Sequence, residues 1–354
     1  MDSDSDMPQL REDLLYQNRI LQQVSRTFAL TIPQLPPDLY RVVSNAYLLC
    51  RIADTIEDET ALSAGDKLHF SRAFTAVLGG KLEAEEFAKE LKPLLSGSTL
   101  QPERELVLNA PRVVRVTYSF SRRQRAALER CLRIMSEGMA QFQLNATLDG
   151  LKDVSHLDRY CYHVAGVVGE MLTELFCEHS AAIDRNRESL LRLAVSFGQG
   201  LQMTNILKDI WEDRRRGACW LPRDVFDDVG FDLSTLDPKN HDESFQRGLT
   251  ELVAITRLHL EDALAYTLLL PKDETGIRRF CLWALGMAVL TLRKIYRRLD
   301  FTSGQEVKIA RRSVKATILV TNLAVNRDSL LRLLFNFFTR SLPASNSHQR
   351  ALST

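Results

Sequence analysis

A chain of 354 residues, 45% of them hydrophobic and 26% charged, can bury a large core, and its net charge of +1 supplies no bulk field for recruiting nucleic acid. Six scattered cysteines with no C-x-x-C pair read as reduced, mostly buried thiols of a cytosolic protein, which excludes a disulfide scaffold and leaves zinc unsupported. Met1 to Asp6 is too acidic and polar for a signal peptide, and no apolar run reaches the ~18 residues that a membrane span needs.

In chain order, residues 1–9 read as a disordered tail, and a helix is expected from about Glu12 to Phe28. Ser25-Arg26-Thr27-Phe28 closes that helix, and the proline-rich stretch from Ile32 to Pro37 forces a turn. Asp38 is placed to cap the next helix, which contains Tyr47-Leu-Leu-Cys-Arg51-Ile-Ala-Asp54-Thr-Ile-Glu57-Asp58. At about 100° per residue, Tyr47, Arg51, Asp54 and Asp58 share one stripe with Glu57 at its edge, opposite Leu48, Leu49, Ile52 and Ile56. Asp54 and Asp58 then lie about 6 Å apart, a spacing at which like charges destabilise a helix unless a cation intervenes.

Residues 66–78 and 83–92 read as amphipathic helices, Glu103 to Tyr118 as another, and Ser121 as the N-cap of a long helix reaching Leu144. After a loop at Asp149 to Asp153, a helix is expected over Leu157 to Cys177. Gly166 and Gly169 there cost about 1 kcal/mol each against alanine and call for close approach of another helix or of a ligand chain.

Residues 187–216 bring a second acidic stripe, Gln202-Met-Thr-Asn205-Ile-Leu-Lys208-Asp209-Ile-Trp-Glu212-Asp213, with Leu207, Ile210 and Trp211 facing away. Gly217 ends that helix, and a loop runs to about Pro238. Helical patterns resume over Glu243 to Leu270 and Ile277 to Leu299. After a break at Gly304 comes Val307-Lys308-Ile309-Ala310-Arg311-Arg312-Ser313-Val314-Lys315, then a final helix or pair over 314–339. No strand pattern or flexible linker appears. The expectation is one all-α domain of about a dozen helices over residues 10–341, with polar tails at 1–9 and 342–354.

Two distant Asp-x-x-Glu-Asp stripes, each on an otherwise apolar rod, suit divalent metal binding, because hard cations take carboxylate oxygens and Mg²⁺ leaves positions open for substrate phosphates. A solvated face would mix Glu with Lys, whereas the second stripe carries Gln202 and Asn205. Such stripes can face each other across a bundle cavity. Arg26, Arg51, Lys208, Arg214, Arg215, Arg216 and Arg223 are candidate phosphate ligands nearby in sequence. None of the seven histidines follows a Glu by three residues, so a di-iron centre is not indicated.

Taken together, Ser25-Arg-Thr-Phe28, Tyr47-x-x-x-Arg51-x-x-Asp54-x-x-Glu57-Asp58, Tyr160-Cys-Tyr-His-Val-Ala-Gly-Val-Val-Gly169 and Gln202-Met-Thr-Asn205-x-x-x-Asp209-x-x-Glu212-Asp213 resemble the squalene/phytoene synthase family, in order and spacing, over about Leu14 to Asn336. The resemblance implies a single-domain isoprenoid (terpenoid) synthase bundle with a central cavity. It also implies head-to-head condensation of two prenyl diphosphates, here farnesyl diphosphate, through presqualene diphosphate. Phe280-Cys281 and the basic segment after Val307 resemble the squalene-forming branch, which reduces its intermediate with NADPH. Lys-Ile-Ala-Arg-Arg-Ser stands here where that branch usually has Lys-Ile-Arg-Lys-Gly.

By the same resemblance, Asp54, Glu57, Asp58, Asn205, Asp209, Glu212 and Asp213 hold two or three Mg²⁺ ions. Arg26, Ser25, Thr27, Tyr47, Arg51, Gln202, Asn205, Lys208 and Arg223 bind diphosphate. Tyr160 handles a proton, Phe28 and Phe280 shield carbocations with Arg51 nearby, and Lys308, Arg311 and Lys315 clamp NADPH. A cytoplasmic monomer that touches a membrane peripherally for product release, in sterol or hopanoid biosynthesis, is the expectation. The rivals are a dehydrosqualene, phytoene or presqualene diphosphate synthase, a terpene cyclase, and a non-catalytic assembly factor of the same fold, which would show decayed acidic motifs.

Overall fold

The computed structural model describes residues 6–25 and 27–344, and among them the only β pairing is two isolated bridges, Leu151 with Pro222 and Asp237 with Asn240. The chain is all-α, as expected. Its contacts group into two compact units, residues 1–145 with 170–184 and residues 146–169 with 185–354.

The first unit is built around the helix Pro37–Asp58, whose Leu48, Leu49, Ile52 and Ile56 are fully buried. The helices Asp6–Val24, Ala110–Tyr118 and Arg122–Leu144 pack around it. Its rotation is fixed by a buried polar network that apolar packing alone would not specify. Asn45 Nδ2 donates to Gln17 Oε1 at 3.1 Å and to the Val113 carbonyl at 2.9 Å, while Thr117 Oγ1 donates to Asn45 Oδ1 at 2.8 Å. Asp13, completely buried, is held by Arg112 Nε and Arg115 Nε, both at 2.8 Å. Burial pulls its pKa upward, but the hydrogen bonds from Arg115 and Arg112 outweigh this and leave it below the usual carboxylate value.

Several boundaries differ from the sequence reading. The first helix begins at Asp6, so residues 6–9 are helical rather than part of a tail, and it ends at Val24 instead of Phe28. Asp38 lies in the first turn rather than at the cap, where Pro36 stands, and its carboxylate meets His179 Nδ1 at 2.6 Å. The helix expected over Glu103 to Tyr118 is two, Gln101–Leu108 and Ala110–Tyr118, because Pro111 cannot continue the hydrogen-bond ladder. Leu342, placed in the C-terminal tail by sequence, is buried, and its carbonyl accepts from Arg257. Ser121 does cap Arg122–Leu144, in a reciprocal capping box with Gln124.

The second unit centres on the helix Arg187–Arg215, packed against Glu243–Leu269, which in turn packs against Thr275–Tyr296. Thr275–Tyr296 is the one helix among the described residues long and apolar enough to cross a membrane, but two thirds (67%) of that stretch is buried, as in a core helix. Fully buried Arg278 ties it to the chain's last helices, donating to the carbonyls of Leu270 and Val325 and pairing with Asp328. All six cysteines are free and buried, and burial pushes Cys281 up to about 12.

Of the two approaches that Gly166 and Gly169 allowed, the structure has the helix. The stretch expected as one helix over Leu157 to Cys177 is Val154–Cys161, a π-helical turn at Tyr162–Gly166, and Val167–His179. The π turn and the start of the following helix lie directly against Arg187–Arg215. A Cβ on Gly169 would sit 2.3 Å from the Ala194 carbonyl oxygen, and one on Gly198 would sit 2.3 Å from that of Ala165. Backbone meets backbone there, leaving no room for a side chain. Gly198→Val should therefore cost about 2 kcal/mol or more through overpacking, read as a lower urea midpoint at unchanged slope; an unaltered midpoint would contradict the crossing.

Candidate functional site

In the first unit, Asp54 and Glu57 are half-buried and Asp58 is exposed near the C-terminal end of Pro37–Asp58. The predicted stripe is present. Arg51 lies 3.7 Å from Asp54 Oδ2 and forms a close ion pair with Glu103, which leaves its Nε buried without a partner. Burial pushes Asp54 up to about 7; Arg51 counters this, and the charges of Asp58 and Glu103 add to it. Glu57 goes to about 8, again chiefly by burial and then by Asp58, although Gln143 Nε2 donates to it at 2.9 Å. Lys67 Nζ is spent on the Glu57 backbone carbonyl.

Ser25 Oγ accepts from the amides of Phe28 and Ala29 at 3.0 and 3.3 Å, starting the short helix Phe28–Thr31. Tyr47 donates to the Val24 carbonyl at 3.1 Å, and its ring lies 5.3 Å from that of Phe28. Ser25, Tyr47 and Phe28 are thus brought together, and Thr27 is exposed beside them. Arg26 lies outside the described residues.

In the second unit, Asp209, Glu212, Asp213 and Gln202 are half-buried and Asn205 is exposed, while Leu207, Ile210 and Trp211 are buried on the opposite side as predicted. Lys208 Nζ reaches both Asp209 Oδ2 at 3.0 Å and Asn205 Oδ1 at 3.3 Å. Burial raises the Asp209 pKa, Lys208 opposes it, and Glu212 adds to it. Glu212 Oε1 pairs with Arg215 at 3.0 Å, whereas its Oε2 is buried without a partner. Arg214 donates to loop carbonyls, those of Leu148 at 2.9 Å and Leu233 at 3.2 Å. Arg223 is exposed, and the pairing of Leu151 N with the Leu221 carbonyl and of Arg223 N with the Leu151 carbonyl, each at 2.8 Å, fixes its backbone.

Tyr160 is buried and stacked on Trp220, with centroids 4.2 Å apart and planes 12° apart. Phe280 is buried, at 5% exposure, on Thr275–Tyr296. Lys308, Arg311 and Lys315 are exposed around the start of the helix Arg311–Ala324, whose N-cap residue Ala310 offers no side-chain cap, an arrangement that suits phosphate oxygens.

The all-oxygen donor set and the buried, unpartnered Glu212 oxygen fit a hard divalent cation. So do two half-buried acids whose pKa values are pushed up without a sufficient cation beside them. Among the described residues no three His, Cys, Asp or Glu side chains are already gathered around one point.

The sequence reading missed Glu103 opposite Arg51, Gln143 and Lys67 around Glu57, Trp220 under Tyr160, and Gly304. An added Cβ at Gly304 would stand 2.9 Å from the Lys208 carbonyl, 3.2 Å from Asp209 Oδ1 and 3.4 Å from Glu212 Oε2. The short helix Gly304–Val307 thus lies against the second acidic stripe. A glycine at a helix start was the one signal available; the others are long-range partners that no local pattern announces.

The sequence model described as squalene/phytoene synthase matches residues 21–313. The chain is 27% identical over 280 residues to a squalene synthase of Eremothecium gossypii and 28% identical over 304 residues to one of Cyberlindnera jadinii. These alignments cover 78% and 85% of this chain but 61% and 65% of the relatives, so the chain spans less than two thirds of their length. A solved structure described as TcSQS with the ligand BPH1237 superposes with a TM-score of 0.71 at 24% identity, covering 94% of this chain and 98% of that one, which shows the fold.

The raised pKa values set a pH dependence. Both acids bind protons more tightly folded than unfolded, so their cost to stability is absent below about pH 4 and grows as pH rises through about 7 and 8. In metal-free buffer the protein should lose stability over that window, and Asp54→Asn with Glu57→Gln should flatten the loss. Denaturation midpoints taken across pH test this; equal slopes for both proteins would refute it.

Proposed function

Because the chain belongs to the squalene/phytoene synthase family, we propose that it condenses two farnesyl diphosphates head to head and reduces the product to squalene. The donor C–O bond breaks to give an allylic cation and diphosphate, and the 2,3-double bond of the acceptor attacks that cation. Loss of a proton closes the cyclopropane of presqualene diphosphate. A second ionisation and rearrangement lead to a cation that a hydride quenches.

The reading rests first on the doubled Asp-x-x-Glu-Asp pattern, with Asp54, Glu57, Asp209, Glu212 and Asp213 half-buried on helices whose other faces are apolar. In it Asp54, Glu57, Asp58, Asp209, Glu212 and Asp213, with Asn205, hold Mg²⁺, which when bound neutralises the departing diphosphate. Arg51, Arg223, Lys208 and Arg26 grip phosphate oxygens, with Ser25, Thr27, Tyr47 and Gln202 as polar neighbours. Arg51 is prepared for this by acids: Asp54 and Glu103 keep its guanidinium charged against the cost of burial.

Tyr160 Oη takes or holds a proton near the diphosphate, and its stacking on Trp220 fixes the ring for that work. Phe28 and Phe280 present aromatic surface that keeps water from the cations and favours positive charge at the ring faces. Lys308, Arg311 and Lys315 bind the phosphates of NADPH, which when bound supplies the hydride. The enzyme would act as a cytoplasmic monomer with its apolar product passing to a membrane.

One observation favours a second reading, an enzyme that stops at presqualene diphosphate or releases an unreduced product such as dehydrosqualene. The segment Lys308-Ile-Ala-Arg-Arg-Ser313 departs from the usual pattern of the reducing branch. Incubation with farnesyl diphosphate and Mg²⁺, with and without NADPH, separates the two; squalene should appear only with NADPH, and its absence there would establish the second reading. Asp54→Asn and Asp213→Asn should each lower kcat/KM about a thousandfold with the circular dichroism unchanged. Near-normal turnover in either would defeat the carboxylate assignment.

A further inference from the structure

Within the first unit, the helix Arg122–Leu144 carries a second set of charged side chains far from the acidic stripe. Gln143, near its C-terminal end, holds Glu57. Arg125 lies roughly five turns back along the same helix, about 27 Å away by helix rise. There a cavity of about 300 Å³ lies among the ends of Ala64–Leu78 and Ala110–Tyr118 and the start of Arg122–Leu144. That volume falls at the lower end of the range for small-ligand clefts. Leu78 and Leu128 give it apolar wall, and Arg122, Arg125 and Glu129 line it with charge.

The walls are fixed by local structure. Tyr118 Oη donates to the carbonyls of Val77 and Leu78 at 3.2 and 3.4 Å, which pins its ring over the end of Ala64–Leu78. Gly80 turns the chain there with φ +68°, and an added Cβ on it would stand 3.4 Å from Tyr118 Oη. The Arg125 guanidinium lies over the Tyr118 ring, 5.9 Å from its centroid. Glu129 Oε1 would stand 3.5 Å from a Cβ on Gly79.

The charges lining this cavity are not spent on each other. Among the described residues neither arginine has a carboxylate partner and Glu129 has no cationic one, and Arg125 Nε is buried with no hydrogen bond. The backbone amides at the helix start are already used. Ser121 Oγ accepts from Gln124 N at 3.1 Å and the Ser121 carbonyl from Arg125 N at 3.0 Å. A ligand is therefore held by side chains. Arg122 and Arg125, three residues apart, share one helix face, and two guanidinium forks suit a phosphate, whose oxygens serve both, whereas one fork satisfies a carboxylate. Glu129 follows Arg125 by one turn, about 6 Å. It repels a ligand that is anionic throughout and accepts from a hydroxyl or an amine.

We propose that this cavity binds a small phosphate monoester, its phosphate on Arg122 and Arg125 and a hydroxyl or amine of its other end on Glu129. The site is separate from the acidic stripes and needs neither Mg²⁺ nor a prenyl chain, so it does not rest on the catalytic reading.

The test is calorimetric titration of the full chain with glycerol 3-phosphate, in chelator and at constant ionic strength, beside inorganic phosphate and glycerol. Glycerol 3-phosphate should saturate one site with a Kd below about 1 mM, inorganic phosphate should bind more weakly, and glycerol should give no heat of binding. Arg125→Gln should weaken binding about tenfold or more and Arg122→Gln severalfold, with unchanged circular dichroism. Ala126→Glu, at an exposed position lining the cavity, should weaken it too and leaves both arginines in place, so it stands as an independent arm if Arg125→Gln folds poorly. Glu129→Gln should erase the preference for the ester over inorganic phosphate, and an unchanged preference would overturn the assignment of a dipolar ligand. No saturable binding by the native chain overturns the proposal, as does native affinity in both Arg125→Gln and Ala126→Glu. Loss of binding in Arg51→Gln would overturn it as well, by moving the phosphate to the acidic stripe. Inactivity toward farnesyl diphosphate with intact ester binding would refute the catalytic reading alone.

Discussion

The second acidic stripe and Tyr160 both depend on one contact, the crossing of Arg187–Arg215 against the π turn Tyr162–Gly166 and the residues just after it. At Gly169 and Gly198 each backbone lies against a carbonyl of the other segment at a distance no side chain permits. That closeness sets the rotation of Arg187–Arg215 about its axis. With rotation set, Leu207, Ile210 and Trp211 go to the core, and Asp209, Glu212 and Asp213 emerge together on the other side. Glycine costs helix propensity, and the return is a rigid placement of acids that a side-chain-mediated crossing would define less sharply.

The first unit solves the same placement problem by polar means. Asn45, buried in the middle of Pro37–Asp58, exchanges hydrogen bonds with Gln17 and Thr117, and a one-residue slip of the helix would strand all three. The acids at the C-terminal end of that helix therefore inherit their position from a network roughly three turns away. Both devices hold carboxylates where burial opposes their charge, as the raised pKa values of Asp54, Glu57 and Asp209 record. Stability is surrendered locally, and the large apolar cores of both units supply it.

Much of this was legible from sequence because it is local. The two acidic stripes, the opposing apolar faces, the Ser121 cap and the close approach at Gly166 and Gly169 follow from helical periodicity and the chemistry of single residues. What stayed hidden depends on partners distant in the chain. Nothing near Arg51 announces Glu103, and nothing near Tyr160 announces Trp220. The split at Asn109 is signalled by Pro111, although apolar periodicity runs through it. In sequence Arg214 is indistinguishable from its neighbours Arg215 and Arg216, and only the distant carbonyls of Leu148 and Leu233 set it apart. No linker marks the boundary between the two units, and the chain crosses between them more than once.

The six buried thiols have a use of their own. The hydrogen bond with Cys131 and then burial hold Cys50 above the ordinary thiol pKa, and burial does so for Cys161, Cys219 and Cys281, so the reactive thiolate is scarce while the chain is closed. Alkylation can then proceed only through opened molecules. Because Cys50, Cys131 and Cys177 belong to one unit and Cys161, Cys219 and Cys281 to the other, the order in which mass tags accumulate is a native clock for which unit breathes first.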